Sequence, residues 1–408
     1  MKESFPHPHL EEEKVTVVSK IVNQPVDRDL FHGYNISPIP EGKILSDSHP
    51  LTIMGWVIGK TTSVVAVEIT AGTEIVATLP TDLPRAKLME RFGDVAKEQG
   101  VNFGFREEIS VDRLPQADRL VVKAVFDSGR RIPIGSIDLE TRTAKSLVDS
   151  WIGPDFIIIG AMKAATTAIY DYLQQHPNVI HRLPKELHFF SQPQHYAKGW
   201  SWYLSNFNAK VQPDYDSQFI LGEASPSYLL DPEVPARIKA FYPSVKFIVS
   251  LRNPTDRAIS HYYHQVKRQK DELRSIEEAF SEKAIEQCIE ATSSLGNHLT
   301  KLRQHQTWKT FRYLYFGQYA SQLEQWFEVF PRDRILILNQ GDLEKEPEQF
   351  IQKLFQFLEL PDRKIAIDRV YTNTYPDTHL DIVNRLNEYF KPFNQQLEKL
   401  LDREFNWL

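Results

Sequence analysis

The segment formed by residues 155–171 constrains the fold of this chain more than any other. Residues 156–159 are a short, wholly apolar run rich in β-branched side chains. Such a run is typical of a strand buried on both faces of a parallel sheet. Gly160 ends the run, and residues 166–173 then have the spacing of an amphipathic helix. The segment therefore predicts a strand, a tight turn and a helix.

The turn in this segment carries residues suited to an anion. Free N–H groups and the positive end of the helix dipole favour phosphate at a helix start. Lys163 adds a positive charge, and Thr166 and Thr167 add hydroxyl donors. The motif is not a Walker A loop, which needs G-x-x-x-x-G-K-[ST]. From these residues alone, a βα turn with a solvated lysine remains the alternative.

Charge and cysteine content restrict the function further. A net charge of -6 argues against general nucleic-acid binding. The single cysteine, Cys288, excludes an internal disulfide and suits a reducing compartment. The first residues lack the apolar core of a signal peptide, and no later run is long and apolar enough to span a bilayer. We expect a cytoplasmic chain.

The length of 408 residues favours more than one domain. Residues 1–48 are polar and rich in proline, so we expect an N-terminal tail. Residues 49–140 are expected to form an accessory β-sandwich, and 141–153 a polar, partly helical linker. Residues 154–408 would then form the second domain. The strands of the sandwich are predicted at residues 51–58, 63–70, 74–78, 101–105, 119–126 and 131–138, with a helical crossover over 84–99.

Strands alternate with helices in the second domain, which predicts a parallel α/β sheet. Asn253 suits an N-cap, with Pro254 at the first helical position and Asp256 in the first turn. The polar helical stretch 271–310 is a candidate lid or cleft wall. Further strands are predicted at residues 178–181, 218–221, 245–251 and 334–338, and helices at 347–358 and 380–401.

Four charged residues follow predicted strands: Lys163, Glu186, Glu223 and Arg252. Ligands of open parallel sheets bind beyond the carboxyl ends of the strands, so these side chains are expected to converge. Two separate cationic turns suit a ligand with two anionic groups, and a carboxylate between them could take a proton. This pattern suggests group transfer from a nucleotide to a hydroxyl or amine. A nucleotide-dependent kinase and a non-catalytic nucleotide-binding scaffold are the alternatives.

From residue 155 to 408 the chain resembles the sulfotransferases that use 3′-phosphoadenosine 5′-phosphosulfate (PAPS), and most closely the branch that sulfates heparan sulfate. The resemblance implies a P-loop-like parallel sheet flanked by helices. Four motifs in the family's order carry it. They are residues 156–168 (the 5′-phosphosulfate loop), 185–190 (the segment of the catalytic glutamate), 251–263 (the 3′-phosphate motif) and the C-terminal part, 317–338 with 390–407.

The resemblance implies a role for each matching residue of the donor site. Lys163 would contact the phosphosulfate and stabilise charge on the leaving 5′-phosphate. Arg252 and Ser260 would bind the 3′-phosphate. The 5′-phosphate would be held by the hydroxyls of Thr166 and Thr167 and by backbone N–H groups from Ala164, Ala165, Thr166, Thr167 and Ala168.

The resemblance also implies the catalytic groups. Glu186 would be the general base, with neighbouring apolar side chains raising its pKa. His188 would be catalytic in support of Glu186, with a purely structural role as the alternative. Sulfuryl transfer should pass through a loose transition state, so positioning and charge stabilisation dominate. No metal is required, and the sequence contains no metal-ligand cluster.

Three positions depart from the family pattern. Ala165 stands where glycine is frequent, and Ala224 where the sugar-sulfating members have a lysine. Residues 371–377 lack the basic glycine loop that closes over the 3′-phosphate, for which Arg363, Lys364 and Arg369 are candidate substitutes. The absence of paired cysteines and of a membrane anchor suggests a bacterial cytoplasmic enzyme.

The acceptor is expected to be a hydroxyl on a carbohydrate, because the resemblance is to the glycan-sulfating branch. A lipid or polyketide hydroxyl is the alternative. The net negative charge argues mildly against a polyanionic glycan, although a local basic cleft could override it. The sequence leaves the oligomeric state open.

Overall fold

A computed structural model describes residues 12–99, 102–150, 152–180, 186–211, 219–267, 272–295, 308–367 and 380–407. The chain divides into two compact units. One is formed by Met1–Gly153 with Tyr196–Ser217, and the other by Pro154–His195 with Gln218–Leu408.

Two antiparallel sheets face each other in the first unit. One has the strand order β1-β8-β7-β4-β5 and the other β2-β3-β6. Side chains from both sheets, among them Phe31, Ile53, Val67 and Leu120, fill a common core. The predicted β-sandwich is therefore confirmed. The strands are β1 (Lys14–Asn23), β2 (Phe31–Ile36), β3 (Leu51–Gly59), β4 (Val64–Ala71), β5 (Glu74–Pro80), β6 (Gly104–Ile109), β7 (Arg119–Phe126) and β8 (Arg131–Thr143).

The expectation of a tail over residues 1–48 is wrong for the strands β1 and β2. β1 pairs antiparallel with β8, from Lys14 opposite Thr143 to Asn23 opposite Gly135. Its burial alternates only in part, because the register shifts between Val18 and Lys20. This bulge hides the period-two signal that would have identified a strand. The expected linker is also structured in large part, since β8 extends to Thr143 and a helix over Ala144–Asp149 follows it.

A four-stranded parallel sheet forms the centre of the second unit, with the order β10-β9-β11-β12. Its strands are β9 (Phe156–Gly160), β10 (Gly222–Ala224), β11 (Lys246–Leu251) and β12 (Ile335–Asn339). β9 lies inside the sheet and all five of its residues are buried, as the apolar run predicted. The parallel α/β sheet is therefore confirmed.

The helices supply the layers around the sheets. α1 and α2 belong to the first unit, and α3, α7 and α13 pack in the second. In chain order the helices of the described residues are α1 (Ala86–Gln99), α2 (Ala144–Asp149), α3 (Thr166–Leu173), α4 (Pro193–Tyr196), α5 (Gly199–Ser205), α6 (Val234–Lys239), α7 (Pro254–Lys267), α8 (Ile276–Ala279), α9 (Glu282–Leu295), α10 (Trp308–Tyr315), α11 (Tyr319–Phe327), α12 (Gln340–Lys345), α13 (Pro347–Phe357) and α14 (Leu380–Leu401).

Two predicted strands of the second unit are not strands over their full length. In the segment predicted at 178–181, a single parallel bridge joins Val179 to Ile220, and residue 181 lies outside the described residues. The strand predicted at 218–221 is found just downstream, as β10. β10 is short because a turn follows it directly, in which the Tyr228 N–H donates to the Ser225 carbonyl at 2.9 Å.

Among the described residues, none of the helices combines the length and the apolar character needed to cross a bilayer.

Candidate active site

The parallel sheet brings three predicted segments to one edge, because the carboxyl ends of parallel strands coincide there. The turn after β9 carries Lys163, and Arg252 follows β11, the neighbour of β9. The third segment contains Glu186, whose backbone N–H donates to the Ala224 carbonyl at the end of β10, at 2.9 Å. The topology therefore places the three segments side by side.

The turn after β9 is tight for steric reasons. A Cβ atom on Gly160 would lie 2.7 Å from the Cβ of Leu229, which is closer than real Cβ contacts. Further along, Lys163 and Ala165 both have left-handed backbones, with φ of 70° and 60°. Glycine adopts that region without steric cost, so the structure explains why glycine is frequent in the family motif at the position of Ala165. Ala165 adopts it with some strain.

The start of α3 follows directly on the turn after β9, and the first N–H groups of a helix lack intrahelical acceptors. Thr166 is buried with 6% exposure, and Ala168 with 1%. The Ala164 N–H was expected to hold the 5′-phosphate, but it donates to the Ala161 carbonyl at 3.2 Å. In this conformation Ala164 closes the turn and does not offer its N–H to a ligand.

The segment after β11 begins as the sequence predicts. The Asn253 side chain accepts a hydrogen bond from the Thr255 N–H at 2.9 Å, so Asn253 caps α7 and Pro254 is its first residue. Ser260 lies on α7 with 2% exposure. The guanidinium of Arg252 donates to the Lys163 carbonyl at 3.4 Å. This bond joins the two predicted phosphate-binding turns.

His264 is a further residue at this site, and the sequence analysis assigned it no catalytic or binding role. Its Nδ1 lies 3.2 Å from the Nζ of Lys163. His264 follows Ser260 by one helical turn, so both lie on the same face of α7. That spacing was the signal available in the sequence, but only the structure shows that Lys163 reaches this face.

The surroundings of α7 are electropositive. Burial lowers the pKa of His261 well below its ordinary value, and the neighbouring cations, Arg257 first and then Arg312 and Lys163, lower it further. His261 is therefore neutral near pH 7. Burial also lowers the pKa of Arg257 to about 10, which leaves its guanidinium charged. Three cations, Arg257, Arg312 and Lys163, thus lie near His261 on α7, and positive charge there suits an anionic ligand.

Glu186 and His188 form a pair at the end of β10. The Oε2 of Glu186 lies 3.3 Å from the Nε2 of His188. Their side chains are 45% and 17% exposed, so the carboxylate is open to an acceptor and the imidazole is mostly covered. The other ring nitrogen, Nδ1, lies 2.8 Å from the Oγ of Ser227. A ring held at both nitrogens can orient the carboxylate.

Glu223 does not join this open edge as the sequence suggested. Its exposure is 1%, and its Oε1 accepts hydrogen bonds from Ser225 at 2.8 Å and Tyr228 at 2.6 Å. Burial, and then the nearby Glu223 carboxylate, raise the pKa of Tyr228 well above its ordinary value, so Tyr228 keeps its proton. Of the two candidate carboxylates, Glu186 is therefore the one that solvent and an acceptor can reach.

Ala224 lies in the apolar core with Phe156, Ile158 and Tyr170, at 1% exposure. The family's lysine has no charged counterpart at this position. Of the substitutes suggested for the missing basic loop, Arg363 and Lys364 are exposed, while Arg369 and residues 371–377 lie outside the described residues.

Two further expectations concern the surroundings of the site. Within the stretch expected as a lid or wall, α8 and α9 are helical as predicted, and residues 296–307 lie outside the described residues. No group of three His, Cys, Asp or Glu side chains within the described part of the chain could hold a metal ion.

Comparison with known proteins identifies relatives. Residues 153–385 match the family model of the sulfotransferase domain. Heparan sulfate glucosamine 3-O-sulfotransferase 5 of Mus musculus is 30% identical over 278 residues, covering 62% of this chain and 74% of that protein. Bifunctional heparan sulfate N-deacetylase/N-sulfotransferase 2 of Homo sapiens is 29% identical, covering 61% of this chain and 30% of that protein. The crystal structure of a sulfotransferase from Alicyclobacillus acidocaldarius matches with a TM-score of 0.50 and 27% identity, over 62% of this chain and 98% of that one.

Proposed function

The chain belongs to the sulfotransferase family, and from that premise we propose that it moves the sulfuryl group of PAPS to a hydroxyl of a carbohydrate, with Glu186 as the general base. It is an enzyme, as its family and relatives are. The observation that carries the proposal is the adjacency of two cationic turns, joined by the bond from Arg252 to the Lys163 carbonyl, with the open carboxylate of Glu186 at the same edge of the sheet.

The donor would be held by the turns after β9 and β11. PAPS supplies an activated sulfuryl group and carries phosphates at both its 5′ and 3′ positions. Lys163 and the N–H groups at the start of α3 suit the 5′ side, and Arg252 with the buried Ser260 suits the 3′ side. The positive potential around α7 supports both assignments. Lys163 would neutralise the charge that develops on the leaving phosphate.

The acceptor hydroxyl would lose its proton to Glu186. A carboxylate at 45% exposure remains accessible, and the His188 ring beside it can fix its orientation. Because the transition state of sulfuryl transfer is loose, the rate depends on holding the hydroxyl in line with the transferred group. A base within hydrogen-bond reach of that hydroxyl supplies the remaining acceleration.

The carbohydrate class of the acceptor rests on the relatives, two of which are named for heparan sulfate. The buried Ala224 indicates that this enzyme binds its acceptor without the lysine that the sugar-sulfating members have at this position. A less anionic sugar than heparan sulfate fits both this loss and the net charge of -6.

Calorimetric titration with 3′-phosphoadenosine 5′-phosphate (PAP), ADP and AMP tests the donor assignment, on wild type and on Arg252→Ala. We expect micromolar binding of PAP and much weaker binding of ADP. Removal of a charge-assisted contact should weaken PAP binding by about 1.5–3 kcal/mol, which is roughly 10- to 150-fold. Lys97→Ala is a matched control, because its side chain is 82% exposed in the first unit.

Equal or tighter binding of ADP would reject the PAPS donor and favour the kinase. Turnover of radiolabelled PAPS with neutral oligosaccharides, sulfated oligosaccharides and fatty alcohols then identifies the acceptor class. Transfer to the alcohols alone would contradict the carbohydrate proposal.

We also propose a cytoplasmic location in a bacterial cell and an accessory role for the sandwich. The single cysteine, Cys288, supports the location, because it is buried and the chain has no second cysteine with which to form an internal disulfide. The separate core of the sandwich supports its treatment as a domain of its own.

A further inference from the structure

Residues 186–190, here called the catalytic loop, are held in an unfavourable backbone conformation. Glu186 and His188 both have positive φ, 67° and 50°. Non-glycine residues adopt this region at an energetic cost, and they remain there only when the surroundings determine their conformation. The loop must therefore be held by contacts that outweigh this cost.

Two buried hydroxyl groups supply such contacts. The Oγ of Ser225 accepts the backbone N–H of His188 at 3.0 Å, and the phenol oxygen of Tyr228 accepts the backbone N–H of Phe190 at 3.3 Å. Ser225 and Tyr228 are fully buried, so these bonds are shielded from water. Each hydroxyl group therefore anchors one backbone position of the catalytic loop.

Both hydroxyl groups are oriented by the same carboxylate oxygen. Ser225 and Tyr228 donate their protons to Oε1 of Glu223, at 2.8 and 2.6 Å. A hydroxyl group has a single proton, so donation to Glu223 leaves its lone pairs for the backbone N–H groups of the loop. The carboxylate thus sets the orientation of both hydroxyl groups. Hydrogen bonds that are linked in this way in a buried site strengthen one another.

We infer that Glu223 is a positioning residue for sulfuryl transfer: through Ser225 and Tyr228 it fixes the catalytic loop and so the Glu186–His188 pair. The inference rests on the proposed function, because it takes Glu186 as the base. Glu223 itself is buried behind the loop at 1% exposure and does not reach the acceptor.

Two substitutions of Glu223 differ in whether they keep a hydrogen-bond acceptor. Glu223→Gln keeps an oxygen that can accept from both hydroxyl groups, whereas Glu223→Leu keeps most of the volume and removes the acceptor. We expect the Leu variant to lose about 100-fold in kcat, since a small displacement of the base is enough for that. The Gln variant should stay within about tenfold of wild type, and the PAP Kd of both should change by less than about threefold.

Amide hydrogen exchange of the catalytic loop provides a readout that needs no substrate. The N–H groups of His188 and Phe190 should be protected in wild type and in Glu223→Gln, and should exchange faster in Glu223→Leu. If wild type fails to bind PAP or to transfer sulfate, the proposed function fails, while the exchange data still decide whether Glu223 holds the loop.

Tyr228→Phe replaces the Leu variant if the latter does not fold, because it removes one anchor and keeps the ring. It should deprotect the Phe190 N–H and lower kcat with little change in PAP binding. Glu388→Leu, at a side chain that is 77% exposed, is the control for the substitution type. Unchanged exchange or unchanged kcat in the Leu variant would overturn the inference. So would a Gln variant as impaired as the Leu variant, or a loss of PAP affinity that parallels the loss of kcat.

Discussion

The two units of this protein differ in what their buried polar groups hold in place. In the sandwich, the buried carboxylate of Glu68 accepts two hydrogen bonds from the Arg131 guanidinium, at 2.8 and 2.9 Å, and so joins β4 to a residue of β8. In the second unit, the buried carboxylate of Glu223 binds two hydroxyl groups, which in turn hold a loop. The first arrangement stabilises regular strands, and the second stabilises an irregular segment.

Backbone strain follows the same division. Within the described part of the first unit, Phe103 is the one non-glycine residue with positive φ, and its side chain is buried in the core. Seven non-glycine residues have positive φ in the described part of the second unit, and four of them, Lys163, Ala165, Glu186 and His188, lie in two turns at one edge of the sheet. The other three, Glu359, Asp402 and Asn406, lie elsewhere in the chain. Strained residues concentrate at functional sites, so this contrast supports the location of the active site.

The largest expected effect comes from Glu186→Gln. The amide cannot take the acceptor proton, so kcat should fall by roughly 10²- to 10⁴-fold. PAP affinity should not change, because the donor is assigned to the turns after β9 and β11. Steady-state transfer rates and calorimetry measure the two quantities.

Glu108→Gln in the sandwich is the matched control, since its side chain is 52% exposed and pairs with Arg106. A Glu186→Gln variant with wild-type kcat would show that Glu186 is not the general base, although it lies in a strained turn.

An intermediate effect is expected from Gly160→Ala. The added methyl group would lie 2.7 Å from two side-chain atoms of the buried Leu229, so the turn after β9 must move. Overpacking of this kind costs about 1–3 kcal/mol. We expect lower thermal stability and a PAP Kd that is about tenfold higher, because the donor turn is displaced.

Gly93→Ala provides the contrast within the first unit. A Cβ at Gly93 in α1 would meet nothing within 4 Å, so the variant should be neutral or more stable by up to about 1 kcal/mol. If Gly160→Ala and Gly93→Ala changed thermal stability equally, the contact with Leu229 could not be the reason why Gly160 is needed in the turn.

The smallest effect is expected from Arg131→Met. Hydrogen bonding to Arg131 lowers the pKa of Glu68 below its ordinary value of 4.5. A lowered folded-state pKa stabilises the protein above the unfolded-state value, and this contribution disappears as the pH falls through the folded-state value. The variant should be slightly less stable than wild type at pH 7, since the Arg131 side chain is half exposed.

Urea denaturation at about pH 7 and at lower pH measures this loss, which should shrink as the pH falls through the folded-state pKa of Glu68 and the carboxylate becomes protonated in wild type. Transfer activity should be unchanged. A variant that lost activity with stability would contradict the division of roles between the two units.

Local patterns in the sequence predicted a large part of the second unit. The helix α14 has the predicted bounds of 380 and 401, and Asn253 caps α7. Apolar runs predicted β9, β11 and β12 to within a few residues. These features depend on neighbouring residues, on periodicity and on capping chemistry, so they can be read without knowledge of the fold.

The sequence by itself thus determined the parallel sheet, the family and the segments that form the site. Only the tertiary structure decided features that join distant parts of the chain. β1 becomes a strand by pairing with β8, which follows it by more than a hundred residues. Glu223 holds the catalytic loop and is not a second base, because its neighbours in space bury it. Such contacts depend on which residues meet across the fold, and local spacing carries no record of them.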